Sequence, residues 1–514
     1  MATVCRSFAL SGINAYLVTV ETVTLHGQPS VNIVGMGDTA VKEAAHRLEA
    51  SLTYGRFEFP KLKVVINLAP SGVKKSGSHF DLAMAVSLLQ ESGQILVDPE
   101  MLSDSAFIGE LSLNAELRPV SGVLPMVIAA RENGMRHLFV PIENYREASL
   151  VKGLDIYAFK SLVEVADYLQ GKQEYFPPLF EEVERLFDPH EGLDFADVRG
   201  QDVLIEYIVS AVAGGHNILM IGSPGCGKSM IAKRISTIMP ELSEEEALEI
   251  TRIYSVTGHL RERGSLITER PFRSPHHNAS MNSLVGGGSP VVPGEISLAH
   301  NGILFLDEIA EFDKKSLDAL RQPMEDKVVT VSRVNSTGTF PANFMLVAAM
   351  NPCPCGHHGQ LRCRCTDYEV LKYRQKLSGP ILDRIEVHKY VQPVDFFNLS
   401  AQEKGRSSAE LRERVQRARR IQQKRFVGVT NVNSNAQMSE AMIKEFCQLD
   451  SDSTKLLSLA FEKFHYSART YNKFLKIART FADLEESEVI RKKDVSAALM
   501  SRDLDKERSG MLVV

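Results

Sequence analysis

At 514 residues the chain is too long for one hydrophobic core, and its length points to about three or four domains. Hydrophobic residues make up 44%, charged residues 24%, and Trp is absent, an ordinary globular composition with no window of about 18 apolar residues to span a membrane and no basic-then-apolar leader. The formal net charge of −5 excludes a basic nucleic-acid coat, so any DNA contact must come from local patches.

Residues 1–165 alternate strands with helices. Strands are predicted at 17–24, 31–34 and 63–68, and amphipathic helices at 81–90 and 125–133. Gly35-Met-Gly37 lacks a dinucleotide fingerprint and reads as a turn. A linker is expected over 166–192, where the stretch from Lys172 to Glu191 is acidic and carries three prolines. Residues 193–395 read as a second domain of strands and helices. Residues 396–514 read as almost wholly helical, broken once at 430–435, and no solenoid repeat is evident.

The second domain carries the chemistry. Gly222, Ser223, Pro224, Gly225, Cys226, Gly227, Lys228 and Ser229 match G-x-x-x-x-G-K-[ST] at every defined position. The apolar run 217–221 precedes them and a helical pattern follows, so strand, glycine loop and helix occur in the order a phosphate site needs. Glycines let backbone N–H groups converge on phosphate oxygens, Lys228 reaches the outer phosphates of ATP, and the Ser229 hydroxyl reaches Mg²⁺. A second buried run, Ile303-Leu-Phe-Leu306, ends in Asp307 and Glu308. Strand C-terminal ends bind ligands in doubly wound sheets, so Asp307 is assigned to the Mg²⁺ shell and Glu308 to activation of the attacking water. A third run, 344–350, ends in Asn351, which reads either as a γ-phosphate or water contact or as a turn residue before Pro352.

The chain has seven cysteines: Cys5, Cys226, Cys353, Cys355, Cys363, Cys365 and Cys447. Two C-x-C pairs, Cys353/Cys355 and Cys363/Cys365, suit a closed tetrahedral Zn²⁺ site within an insertion at 353–365, with His357 and His358 as alternative ligands. Clustered thiols beside an ATP motif imply a reducing, cytoplasmic setting without membrane contact. Residues 327–350 read as a hairpin leading into the third strand, with Arg333 near its tip as a candidate for gripping DNA backbone. The basic stretch 406–425 reads as a solvated helix face rather than a DNA site.

The three strand ends together resemble a AAA+ ATPase, with Asn351 as its first sensor. Arg270-Pro-Phe-Arg-Ser-Pro-His-His277, Leu284-Val-Gly-Gly-Gly288 and Pro293-Gly-Glu-Ile-Ser-Leu-Ala-His300 resemble the magnesium-chelatase-like ATPases, and within them the YifB/ComM family. The resemblance implies an α/β chain in three parts: a Lon-protease-like α+β domain, a doubly wound AAA+ core with an insert in its second helix (about 269–295) and the zinc module, and a helical lid. It places the arginine finger at Arg384 in Leu377-Ser-Gly-Pro-Ile-Leu-Asp-Arg384, and the second sensor at Arg469 in Ser467-Ala-Arg469. A finger acting in trans implies a ring, and the resemblance implies that the ring is a homo-hexamer. The implied activity is ATP-driven DNA translocation, with branch migration integrating single-stranded DNA in recombination and natural transformation, beside a recombinase machinery. In the N-terminal domain the Lon nucleophile position falls on His79 and the lysine position on Leu124, so the Ser-Lys dyad is expected to be missing. A Lon-like ATP-dependent protease and a chelatase-type ATPase that remodels a protein partner are the rival readings.

Overall fold

The computed structural model describes residues 2–179, 192–260, 266–288, 291–333, 336–393, 405–429, 432–464 and 466–508. In the N-terminal domain β1 (Thr3–Ser11), β2 (Asn14–Leu25), β3 (Ser30–Val34), β4 (Lys63–Ala69), β5 (Ser105–Phe107), β6 (His137–Pro141) and β7 (Asp155–Phe159) form one mixed sheet in the order β3-β4-β2-β1-β5-β6-β7. The three strands expected there fall inside β2, β3 and β4. The structure adds β1, which zips antiparallel to β2 from Thr3 opposite Thr22 to Ser11 opposite Asn14. Helices α1 (Thr39–Tyr54), α2 (Asp81–Glu91) and α3 (Val123–Glu132) cover the sheet.

The helices read as amphipathic are not so. Residues 81–89 of α2 and 123–130 of α3 are all buried, because each helix is enclosed by protein on every side. The linker expected from residue 166 also begins later. A helix spans Leu162–Leu169, and Tyr168 and Tyr175 pack with Phe139, Tyr157 and Phe159 of the sheet in an aromatic cluster. Residues 180–191 of that linker, and 394–404 where the lid boundary was expected, lie outside the described residues.

The second domain is built on α4 (Asp202–Gly214), β8 (Ile218–Ile221), α5 (Lys228–Ile235), α6 (Glu244–Val256), β9 (Phe272–Arg273), β10 (Ile303–Leu306), β11 (Val328–Arg333), β12 (Ser336–Pro341), β13 (Met345–Met350), α7 (Asp367–Arg374) and β14 (Val387–Tyr390). Strands β9-β10-β13-β8-β14 form a five-stranded, wholly parallel sheet in that order. Its three central strands, ILMI, ILFL and MLVAAM, are buried at every residue, the continuous apolar pattern of a sheet covered on both faces. Alternation divides them. Ile218, Met220, Phe305 and Val347 face α4, α5 and the C-terminal helices, whereas Leu219, Leu306, Leu346 and Met350 face the insert and the β11–β12 hairpin.

The N-terminal domain docks on this core. The Gly122 N–H donates to the Ser255 carbonyl at 2.9 Å, α3 packs on α6, and Ile13 of the β1–β2 turn packs against the core that holds Phe340 of the hairpin.

C-terminal helices α8 (Ser408–Arg425), α9 (Ser451–Phe464), α10 (Ala468–Leu484) and α11 (Lys492–Met500) share the α4/α5 core. The basic stretch 406–425 is anchored, not merely solvated. Arg414 forks onto Glu206 at 2.9 and 3.1 Å, Arg412 donates to the Thr237 carbonyl, and Arg419 donates to the Val212 carbonyl. Arg425 and Arg479 both bond to Asp483, which is fully buried and also accepts from Asn435 Nδ2 at 2.8 Å. Asp483→Ala leaves two cations inside the lid without their counter-ion. It is expected to cost about 3–5 kcal/mol of stability, read as a lowered unfolding midpoint in denaturant titration.

Candidate nucleotide site and cysteine cluster

The register of the parallel sheet assembles the site. Ile221 pairs with Met350, and Leu306 with Ala348, so the next residues along, Gly222, Asp307 and Asn351, emerge at one edge of the sheet. The Gly222 N–H donates to the Met350 carbonyl at 3.2 Å, and the loop then turns through Gly225 (φ +80°) and Gly227 (φ +91°), conformations that side chains resist. It delivers the chain into α5 at Lys228, with the helix N-terminus behind the loop.

Lys228 Nζ donates to the carbonyls of Gly222 at 2.7 Å and Ser223 at 3.0 Å, and to Asn351 Oδ1 at 3.2 Å. Ser229 Oγ donates to Asp307 Oδ2 at 2.6 Å, and the other carboxylate oxygen accepts from the Glu308 N–H at 3.0 Å. The hydroxyl and carboxylate converge as the hard oxygen pair that suits Mg²⁺. Glu308 sits in the left-handed region (φ +49°), a strained setting for a non-glycine residue, and its carboxylate is half exposed. His277 Nδ1 lies 3.9 Å from Glu308 Oε2. His277 was legible only as part of a resemblance, since nothing in its spacing points to a residue 31 positions away.

Five of the expected residues therefore meet: Lys228, Ser229, Asp307, Glu308 and Asn351. Arg384 and Arg469 do not join them. Both line a separate cavity of about 1110 Å³, together with Arg270, Glu386, Lys473 and Lys476, and none of residues 222–229 lines it. Arg384 Nη2 pairs with Glu325 at 2.6 Å, and its Nη1 donates to the Pro380 carbonyl at 2.7 Å. Burial pulls the ammonium groups of Lys473 and Lys476 below the usual lysine range. Arg333 is the last residue of β11, opposite Ser336 in a hairpin whose tip at 334–335 lies outside the described residues.

The four sulfurs of Cys353, Cys355, Cys363 and Cys365 lie within 4.8 Å of one another. Three of their separations are 3.4, 3.7 and 3.9 Å. Zinc–sulfur bonds of about 2.3 Å in a tetrahedron give sulfur–sulfur edges of about 3.8 Å, so this donor set fits a tetrathiolate metal. The backbone N–H groups of Arg364 and His357 hold the Cys355 thiol down at about 6, while burial pushes Cys353 up to about 12.

In the N-terminal domain His79 and Leu124, the two positions expected to replace the dyad, are both buried. Burial pushes His79 down to about 4, which keeps it neutral. The neighbouring candidates are engaged apart: Ser78 Oγ donates to Glu110, and Lys75 Nζ to the Pro70 carbonyl.

A phosphate loop on a parallel sheet, with a polar amide at the end of the adjacent strand and carboxylates at the end of the next, defines an ATPase of the AAA+ class, for which ATP and Mg²⁺ are the expected ligands. Residues 194–399 match magnesium chelatase, subunit ChlI; residues 20–144 match subunit ChlI of Mg-chelatase; and residues 405–502 match the ChlI C-terminal region. The chain is 38% identical to competence protein ComM of Haemophilus influenzae over 96% of each chain. It is 38% identical to YifB of Escherichia coli over 97% of this chain and 96% of that one. It belongs to the magnesium-chelatase-like ComM/YifB family. A shorter stretch, 19% of the chain, is 33% identical to Lon protease 2 of Bacillus subtilis.

Asp307→Asn keeps the shape of the strand end but weakens the oxygen pair. ATP turnover is expected to fall about a hundredfold or more while ADP binding without Mg²⁺ is retained, measured by phosphate release and by titration calorimetry.

Proposed function

We propose that this chain is an ATP-driven ring motor on DNA, a hexameric translocase that promotes branch migration and the integration of single-stranded DNA. The observation that carries the reading is the division of the ATPase machinery. Lys228, Asp307, Glu308 and Asn351 form one group, while Arg384 and Arg469 lie together in a cavity that residues 222–229 do not line. An arginine finger belongs at a γ-phosphate, so the finger of one subunit serves the loop of the next, which requires a ring. The desolvated Lys473 and Lys476 beside Arg384 favour an incoming anion there.

Within each shared site Lys228 leaves the loop carbonyls for the phosphates, and Ser229 and Asp307 hold the metal-facing side. Glu308 takes the proton of the attacking water, which Asn351 orients. Bound Mg²⁺ supplies charge neutralisation of the phosphates. The four thiolates hold one structural Zn²⁺, leaving no open position for catalysis.

DNA as substrate is supported by likeness to a protein named for competence and by the β11–β12 hairpin, where Arg333 is the proposed backbone contact. A recombinase machinery is the fitting partner, and the reducing cytoplasm the fitting compartment. The protease alternative is disfavoured by the separate engagement of Ser78 and Lys75.

Lys228→Ala and Glu308→Gln are each expected to abolish ATP-dependent unwinding of forked and four-way DNA while DNA binding persists; branch migration retained in either would sink the motor assignment. Arg384→Ala is expected to cut ATPase activity about a thousandfold, and mixing it with Lys228→Ala chains should restore part of it. Such restoration occurs only where the two residues serve one site from different chains. Arg333→Ala should weaken binding to every DNA sequence alike, and the slope of log affinity against log salt should become shallower by about one for each subunit engaged.

A further inference from the structure

The cysteine segment is not an independent appendage. From Cys353 to Cys365 the chain forms turns and no helix or strand, and only Cys353 and Gly356 are buried. A segment without a core of its own takes its folding energy from its metal. Its first turn, closed by the Gly356 N–H donating to the Cys353 carbonyl at 2.9 Å, lies directly against the phosphate loop. Gly356 has φ +82°, and a Cβ there would stand 2.5 and 2.7 Å from Cδ and Cγ of Pro224, the third residue of the loop. No side chain fits between the two turns. Two residues before Cys353, Asn351 Oδ1 accepts from Lys228 Nζ at 3.2 Å, and between them the Pro352 carbonyl accepts from Arg374 Nε of α7 at 3.2 Å. The knuckle is thus tied at one end to the sensor strand and α7, and pressed at its turn on the loop that would receive the phosphates.

We propose that the metal-folded knuckle is one wall of the nucleotide site, so that binding of a thiophilic divalent metal, zinc, at the four thiolates and binding of a nucleoside triphosphate at residues 222–229 are thermodynamically linked. The metal holds the Cys353–Gly356 turn in place; the turn holds Pro224 and Asn351 where the loop can close on phosphate. Linkage is reciprocal, so a nucleotide that tightens the loop on the knuckle retains the metal by the same factor. The inference rests on both the ATP and the zinc assignments, and the experiment separates them.

Full-length protein is prepared zinc-loaded, zinc-stripped and reloaded, with zinc counted by elemental analysis and folding checked by circular dichroism. The dissociation constant of a fluorescent ATP analogue with Mg²⁺ is expected to rise about tenfold on stripping and to recover on reloading. Zinc loss to a chelator is expected to slow by a similar factor when a non-hydrolysable ATP analogue saturates the intact protein. Gly356→Ala, which keeps all four thiols, is expected to retain one zinc per chain yet bind the analogue about tenfold more weakly. Equal nucleotide affinity with and without zinc in folded protein overturns the link, as does zinc release indifferent to nucleotide. A zinc-loaded chain that binds no nucleotide overturns the ATP assignment, and a chain that binds nucleotide but takes up no zinc overturns the metal assignment.

Discussion

Parallel pairing of β8 with β13, and of β13 with β10, is the constraint from which the site follows. The pairs Ile221–Met350 and Leu306–Ala348 place three strand ends side by side, with Gly222, Asn351 and Asp307 next along them. A slip of one residue in either pairing would turn Asp307 or Asn351 to the opposite face of the sheet, because side chains alternate with a period of two. What prevents a slip is burial. Every residue of β8, β10 and β13 is enclosed, with one alternate set filling the core under α4 and α5 and the other filling the core under the insert and hairpin. Position of these groups is therefore held by apolar packing on both faces rather than by the polar groups themselves.

The same packing explains how distant parts of the chain bear on the sheet. The C-terminal helices share the α4/α5 core and are locked by the buried Asp483 with Arg425 and Arg479, so they are continuous with the sheet's back face. The N-terminal domain reaches the front through Ile13 and the hairpin, and the side through α3 on α6. In it His79 is neutral and buried, Leu124 lies in the core, and Ser78 and Lys75 are engaged with other partners. A domain docked on both α6 and the hairpin side of the core is suited to carrying geometry between them.

Charge follows the same division. The long basic helix α8 engages Arg412, Arg414, Arg419 and Arg425 with carbonyls and carboxylates of its own chain, which leaves little of it for nucleic acid. Arg384, Arg469, Lys473 and Lys476 gather instead along a cavity of about 1110 Å³ that residues 222–229 do not line. Within one chain that cavity and the phosphate loop are lined by different residues.

Local chemistry was legible in the sequence. The loop 222–229, the carboxylates at 307–308, the amide at 351 and the two C-x-C pairs each follow from residue type and short spacing, because backbone geometry over a few residues decides whether such groups can converge. The alternating strands of the N-terminal domain were legible for the same reason, although β1 and the full burial of α2 and α3 were not, since periodicity reports one apolar face and cannot report how many neighbours cover a helix. Only the tertiary structure decided which distant groups meet. The contact of Gly356 with Pro224, the approach of His277 to Glu308, and the placing of Arg384 with Arg469 in another cavity depend on pairings between strands and helices far apart in the chain, and no short-range pattern records those.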